Sequence, residues 1–546
     1  MKRIIAAIML VSILLTACGQ TAATPEPSPQ ASAPASNATA PASQAPAAAP
    51  ATPAAPAASG IVSAKDTMIV VIDREPPSLD PLDATSTAKR NVECNIYDTL
   101  LCFDENMKPS PWLAESYEQI DELTFKFNLR KGVKFHNGEE MKASDVLFTF
   151  IRMWDVVEAK TFYDYLDKDG LAAPDDYTFI LKTKEPSAVI LSLLCNYATG
   201  ILSEKAVTEM GVEDHGRSPV GTGAYKVVSW TAGDNITLES NEDYWEGPDN
   251  VAYVKNVVIR IITEASSRTI DLESGGVDIV QVLSVEDVER IQESPETQAM
   301  LYPTDTLRYF AFNTLNEKLS DKRVRQALTY ATDAETVRKV IYGENTSIRA
   351  ITPVPPGYAG RNEDLVQYEY NVEKAKEMLK ELGLDGGFDL EYMYLSNNTN
   401  TMMGEILQEM WKEVNVNLIL KPMESAALTS ALNKGEHEIC AAGSGNQLMD
   451  SGDGLTRFFH TKSQNSSNDR SNLSVPEIDE LLDKIAVESD GDKRNQMVYD
   501  AQVLIHEECP LIYICNTITC VGARADVKGF DRQPSGFYKL NSVYFE

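Results

Sequence analysis

The chain has 546 residues, 43% of them hydrophobic and 24% charged, with a formal net charge of −32. That length allows about two to four globular domains and a large buried core. The acidic balance argues against a nucleic-acid partner, because phosphate binding needs a basic face; it does not assign a cationic ligand, because many acidic surfaces serve only solubility.

Chain order begins with Lys2 and Arg3, an apolar run from Ile4 to Leu15, and small residues leading to Cys18. This is the pattern of a secretory signal peptide over residues 1–17, too short to span a bilayer. Leu15-Thr16-Ala17-Cys18 resembles a bacterial lipobox, which implies a lipidated Cys18 and a chain tethered at the outer face of the membrane. Residues 18–60 follow as the lipidated cysteine and a linker that is almost all Ala, Pro, Ser, Thr and Gln. A segment without aromatics cannot repay the entropy of ordering. At ~3.1 Å per residue it reaches at most ~120 Å, a tether rather than a site.

In the globular part, Leu123, Phe125, Phe127 and Leu129 alternate with polar residues and predict a half-buried strand. His136-Asn137-Gly138 supplies a turn. Ser144 is expected to cap a helix whose inward stripe is Val146, Leu147, Phe150, Ile151 and Trp154. Gly221-Thr222-Gly223-Ala224-Tyr225-Lys226 lacks the GxxxxGK spacing of a phosphate loop and leads into alternating residues, so it reads as the start of a strand near a hinge. Further on, Asn371 caps a predicted helix with Val372, Ala375, Leu379 and Leu382 on one face and Gly383 at its end. Phe388, Leu390, Tyr392 and Tyr394 predict a strand, 401–413 a helix and 416–420 another strand: a parallel βαβ unit. No internal repeat is evident.

Catalytic signatures are missing from the pattern. The five histidines, His136, His215, His437, His460 and His506, are scattered. His506-Glu507-Glu508 lacks the second histidine of HExxH, and Ser444 does not sit in GxSxG. Beyond Cys18, seven cysteines remain, with no CxxC; their apolar surroundings suit buried free thiols. No metal, cofactor or enzymatic activity is expected.

Several stretches, in order, carry a family resemblance. They are Pro76-Pro77-Ser78-Leu79-Asp80-Pro81, Ile96-Tyr97-Asp98-Thr99-Leu100-Leu101, Pro111-Trp112-Leu113-Ala114-Glu115-Ser116 and Leu129-Arg130-Lys131-Gly132-Val133. Pro219-Val220-Gly221-Thr222-Gly223, Asn241-Glu242-Asp243-Tyr244-Trp245 and Arg323-Val324-Arg325-Gln326-Ala327-Leu328 follow. From about residue 68 onward the chain resembles the extracellular solute-binding proteins of peptide- and nickel-type ABC transporters. The resemblance implies an α/β, type II periplasmic-binding-protein fold, two lobes closing on a ligand plus an inserted third lobe. Lobe one would combine 61–102, 188–304 and 510–546; the inserted lobe 103–187; lobe three 305–509.

It also implies site residues. Relatives place an aspartate on the ligand's ammonium group, and register against Arg457-Phe458-Phe459 puts Asp450 there, with Asp453 as the alternative. The tryptophan and proline that relatives carry around this aspartate are absent here; Ser451 stands in the proline's place. A turn-forming aspartate in a Gly-rich loop is the competing reading. Thr87, Phe162 and Tyr163 match ligand-contacting stretches, and Arg361 is the candidate for a ligand carboxylate. The implied function is the substrate-binding component of an ABC importer. It would capture dipeptides or oligopeptides outside the membrane and deliver them, as a monomer, to permease and ATPase subunits. Capture of another solute on the same fold (nickel chelate, sugar or signal peptide), or a surface lipoprotein hydrolase, is the alternative.

Overall fold

Two long strands, Thr297–Phe312 and Leu511–Arg524, run antiparallel through the centre of an eleven-stranded sheet. The computed structural model that shows them describes residues 61–83, 86–247, 251–445, 448–533 and 536–546. Cys18, the signal segment and the Ala/Pro-rich linker lie outside the described residues.

The pairing of the long strands is interrupted midway. Pro303 faces Ile518, and regular register resumes only at Leu307 opposite Asn516. Pro303 has no N–H to give the ladder, which suits it to an irregularity. Across the gap the Thr304 hydroxyl bonds the carbonyl of Thr517 at 3.0 Å. On one side of this break the sheet continues through Ile279–Val280, Thr67–Ile72, Asn256–Ile261, Asn235–Ser240 and Tyr225–Thr231. On the other it continues through Ile439–Ser444, Phe388–Leu395 and Val416–Met423.

The two sides share one topology. In the first, Thr67–Ile72 lies between parallel strands 256–261 and 279–280, and 279–280 meets a long strand antiparallel. In the second, Phe388–Leu395 lies between parallel strands 416–423 and 439–444, and 439–444 meets the other long strand antiparallel. The repeat lives in strand order, not in side chains, so the sequence shows none.

The second side shows why the sequence pattern works. Leu307, Tyr309 and Ala311 enter one buried cluster with Leu455, Ile478 and Ile505. Phe310 and Phe312 point the other way, to Tyr392, Leu407 and Trp411. Successive strand residues face opposite sides, so both faces are covered by helices. The Asn371 side chain caps Val372–Glu381, accepting from the Lys374 N–H at 3.0 Å. The helix expected at 401–413 runs Asn398–Lys412, capped by Asn397.

A separate four-stranded antiparallel sheet, ordered Ala114–Gln119, Thr124–Leu129, Thr178–Lys182, Ala172–Asp175, packs under the helix Ala143–Arg152. Phe150 stacks on Phe179 at 5.4 Å. Its core merges with that of the first side in a single cluster containing Val70, Tyr97, Phe127, Phe150 and Ile259. One local reading is corrected here. The helix starts at Ala143, with Lys142 rather than Ser144 at the cap, because the Asp145 carboxylate accepts from the Lys142 N–H at 2.9 Å. Gly221 and Gly223 precede the strand Tyr225–Thr231 and sit against the backbone of residues 95 and 96. A Cβ on Gly221 would lie 2.0 Å from the Ile96 carbonyl oxygen. Among the described residues, no helix is long and apolar enough to cross a membrane.

Candidate ligand-binding cleft

A cleft of about 730 Å³ separates two walls. One is built from the segments around Met107, Phe125 and Pro186–Ser192; the other carries Tyr358, Met449, Asp450 and Arg494. Ligand pockets commonly span ~300–1,000 Å³, so the space suits a small solute or short peptide. The walls come from opposite sides of the long-strand break. They also touch directly: the Ala188 N–H donates to the Ala486 carbonyl at 2.9 Å, the Tyr165 hydroxyl donates to Asp453 Oδ1 at 2.7 Å, and Leu448 is buried in the core of the first side.

Asp450 caps the helix Ser451–Phe459. Its Oδ1 accepts from the Asp453 N–H at 2.9 Å, and Arg494 binds it in a two-point fork, Nη1 to Oδ2 at 2.8 Å and Nη2 to Oδ1 at 2.7 Å. The preceding residue, Met449, has φ +55, a left-handed conformation that strains a residue with a Cβ. Arg494 comes from the helix Gly491–Glu508 and also donates from Nε to the Ile485 carbonyl at 2.9 Å. Gly452 makes this approach fit: a Cβ there would lie 2.6 Å from Arg494 Nη2. Burial disfavours the Arg494 charge, but the Asp450 carboxylate outweighs it and holds the guanidinium pKa above its usual value.

Asp453 is also buried. Burial pushes its carboxyl pKa up, against the Arg457 charge and the Tyr165 hydroxyl that favour the ion. Arg457 Nε donates to its Oδ2 at 2.6 Å.

The other residues named from sequence fall elsewhere. Thr87 is the exposed first residue of the helix Thr87–Glu93, whose cap is Ser86. Phe162 is buried in the core, and Tyr163 stacks on Trp154 at 5.3 Å. Arg361 pairs with Glu363 at 2.6 Å and donates to the Val354 carbonyl. None of these four lines the cleft. The structure therefore brings Asp450 and Asp453 together and adds Arg494 and Tyr165. Tyr165 belongs to the aromatic stretch 162–165, but only it reaches the opposite wall. Nothing local to Arg494 announces its partner, 44 residues away.

The histidines hold loops in place. His136 accepts from the Gly221 N–H at 3.2 Å and its other ring nitrogen bonds the Gly223 carbonyl at 3.0 Å. His437 bonds the Arg470 carbonyl at 2.8 Å, and His506 that of Val366 at 2.9 Å. Among the described residues, no group of three or more His, Cys, Asp or Glu is placed to hold a metal.

Residues 108–466 match the family model described as bacterial extracellular solute-binding proteins, family 5 Middle. The chain belongs to that family. This family 5 solute-binding protein is 26% identical over 515 residues to a dipeptide-binding protein of Escherichia coli, covering 89% of this chain and 95% of the relative. It is 26% identical over 506 residues to heme-binding protein A of Haemophilus influenzae, covering 87% and 91%. Among solved structures, the periplasmic binding protein DppA of Helicobacter pylori in complex with the peptide STSA matches with a TM-score of 0.71 at 27% identity, covering 88% and 98%. The α/β binding-protein fold and the extracytoplasmic setting of the family hold for this chain.

Proposed function

We propose that this protein is the substrate-binding component of an ABC importer, capturing dipeptides or oligopeptides outside the membrane and handing them to a permease. The observation that carries this reading is the cleft itself. It lies between the second half and a wall formed by the separate four-stranded sheet and residues 186–192, which share a core with the first half; the two halves are joined by two long strands that lose register between Pro303 and Leu307. Two rigid halves on such a joint can close on a ligand by rotation. Peptide relatives across the family support the ligand class.

In this reading the lobes divide as 61–102 with 188–304 and 510–546, the inserted 103–187, and 305–509. Asp450 and Asp453 form the ligand-facing end of the third lobe. Cys18 carries a lipid that anchors the chain to the outer face of the membrane, with residues 19–60 as the tether. The protein binds and releases without turnover.

A thermal-shift screen of di- to hexapeptides on protein stripped of retained ligand tests the function. Binding to the native state alone adds RT ln(1 + [L]/Kd), about 2.7 kcal/mol at a hundredfold excess over Kd. At least one peptide should stabilise the protein without being hydrolysed. A flat screen refutes peptide capture, and turnover refutes a carrier. Cys18→Ser should move the protein out of the membrane fraction; retention after a high-salt wash places the anchor elsewhere.

A further inference from the structure

The cleft wall around Asp450 is electrically balanced by its own side chains. Asp450 is held by Arg494, and Asp453 by Arg457. Asp450 already takes the Asp453 N–H and both arms of the Arg494 fork. A ligand ammonium aimed at this carboxylate would have to displace a buried guanidinium and leave that charge without a partner, which is a costly exchange. Among the described residues, no unpaired charge waits here for a charged ligand end. Of the remaining charges of the cleft, half-buried Glu488 is paired with Lys493, and Glu122, Asp492 and Lys108 are exposed on its rim, where salt screens them over about 8–10 Å.

Arg494 nevertheless has something left to give. A guanidinium carries five N–H groups. One goes to the Ile485 carbonyl and two to Asp450, at 2.9, 2.8 and 2.7 Å. Of the other two, the one on Nη2 lies on the same edge as Nε, against Ile485 and Gly452. The one on Nη1 lies on the opposite edge and has no acceptor among the described residues, and Arg494 lines the cleft. The guanidinium is held by Asp450 and Ile485, and Gly452 leaves room for it. The wall thus offers a preorganised donor with no net charge. The partner that fits such a donor is a neutral acceptor, the carbonyl oxygen of an amide.

We propose that Arg494 is the residue that fixes the ligand in the cleft, donating its unused Nη1 N–H to a backbone carbonyl oxygen, so that the protein takes peptide-like amides whether or not their ends are charged. Asp450 is then a positioning residue that aims the fork. The inference rests on the reading of this cleft as the peptide site.

A random tetrapeptide library made in four end forms (free, N-acetylated, C-amidated and doubly blocked) tests it, with retained mass read by native mass spectrometry and affinity by competition. Wild type should retain all four forms with affinities within about threefold of one another. Arg494→Lys keeps a positive charge beside Asp450 but loses the fork. It should bind every form about tenfold or more weakly while melting near the wild-type temperature. Selective loss of the acetylated forms overturns the proposal in favour of an ammonium on Asp450. Selective loss of the amidated forms overturns it in favour of a carboxylate contact. Equal retention by wild type and Arg494→Lys overturns the role of Arg494. If Arg494→Lys does not fold, the four-form comparison on wild type still decides between neutral and charged recognition. Retention of no form by wild type is a different result: the peptide reading itself then falls, and the inference with it.

Discussion

Lys539 and Asp98 meet at 3.3 Å although 441 residues separate them, and Asp98 is wholly buried. Around the same carboxylate converge Trp112 Nε1 at 2.9 Å, Trp245 Nε1 at 3.0 Å and the Thr222 hydroxyl at 3.0 Å. Lys539 also lies 4.5 Å above the Trp112 ring. Burial alone would raise the Asp98 pKa, but Lys539 and these donors hold it below the usual carboxylate range. Four of the stretches that carry the family resemblance, those containing Asp98, Trp112, Thr222 and Tyr244-Trp245, therefore meet at one point. They tie the first half of the molecule to the C-terminal segment and do not line the cleft.

Lys539→Met should destabilise the protein by about 3–5 kcal/mol, because it leaves a buried carboxylate without its counter-charge. Urea denaturation at neutral pH measures this. A loss under ~1 kcal/mol would show that the three neutral donors suffice.

Acid should weaken the fold through its buried histidines. Burial pushes His136 and His215 from 6.5 down to about 4. The two His136 bonds fit a neutral ring protonated on Nε2, and a second proton on Nδ1 would face the Gly221 N–H. A base whose folded pKa is lowered contributes fully above its unfolded value, and the contribution is lost as pH falls from 6.5 towards 4. Each histidine then removes about 1.4 kcal/mol per pH unit across that window, while Asp469, whose carboxyl burial pushes up to about 7, returns about as much as one of them. In denaturation curves at pH 7, 6 and 5, His136→Gln should reduce the pH slope by about 1.4 kcal/mol per pH unit relative to wild type. An unchanged slope in His136→Gln contradicts a buried neutral ring at that position.

Local patterns were the legible part of this chain. Asn371 as a cap, the strand at 388–395 and the parallel partner at 416–423 are written in side-chain chemistry within a few residues. Ser144 misled because a serine is a good cap by type, yet Asp145 at the third helical position fixed the start at Ala143. The repeated topology was invisible because strand order leaves no periodic trace in sequence. At the cleft, Asp450 and Asp453 were found through the resemblance. Arg494 and Tyr165 were not, since their partners lie 44 and 288 residues away and nothing in their own neighbourhood encodes the meeting.

The thiols should be inert. All seven described cysteines are free, and six are buried. Burial pushes Cys102, Cys509 and Cys520 up to about 11 and Cys94, Cys440 and Cys515 up to about 12. Reaction needs the thiolate, which is scarce at pH 8 for such groups. A thiol reagent at that pH should label these seven slowly in the native protein, with half-buried Cys102 first, and label all seven once the protein is denatured, the chain's eighth cysteine, Cys18, being counted separately. Fewer than seven after denaturation would reveal a disulfide.

The Asp450–Arg494 pair should behave as one unit in stability. Their side chains are 8% and 13% exposed, so removing either leaves the other charge poorly solvated. Asp450→Asn and Arg494→Gln should each cost about 3–5 kcal/mol. Asp450→Asn keeps an oxygen for the Asp453 N–H, so its cost reports the lost charge pair more than a lost helix cap. The double variant has no charge left to strand and should cost clearly less than the sum of the two. A coupling of at least ~1.5 kcal/mol in a double-mutant cycle by urea denaturation is expected. Gly452→Ala supplies an independent arm. Its Cβ would meet Ile485 Cγ2 at 2.4 Å and Arg494 Nη2 at 2.6 Å, so the guanidinium must move off Asp450. In an Arg494→Gln background that part of the clash is gone, and Gly452→Ala should cost less there than in wild type. If the single costs simply add, and Gly452→Ala costs the same in both backgrounds, Asp450 and Arg494 are not a pair in solution, and the neutral wall of the cleft does not exist.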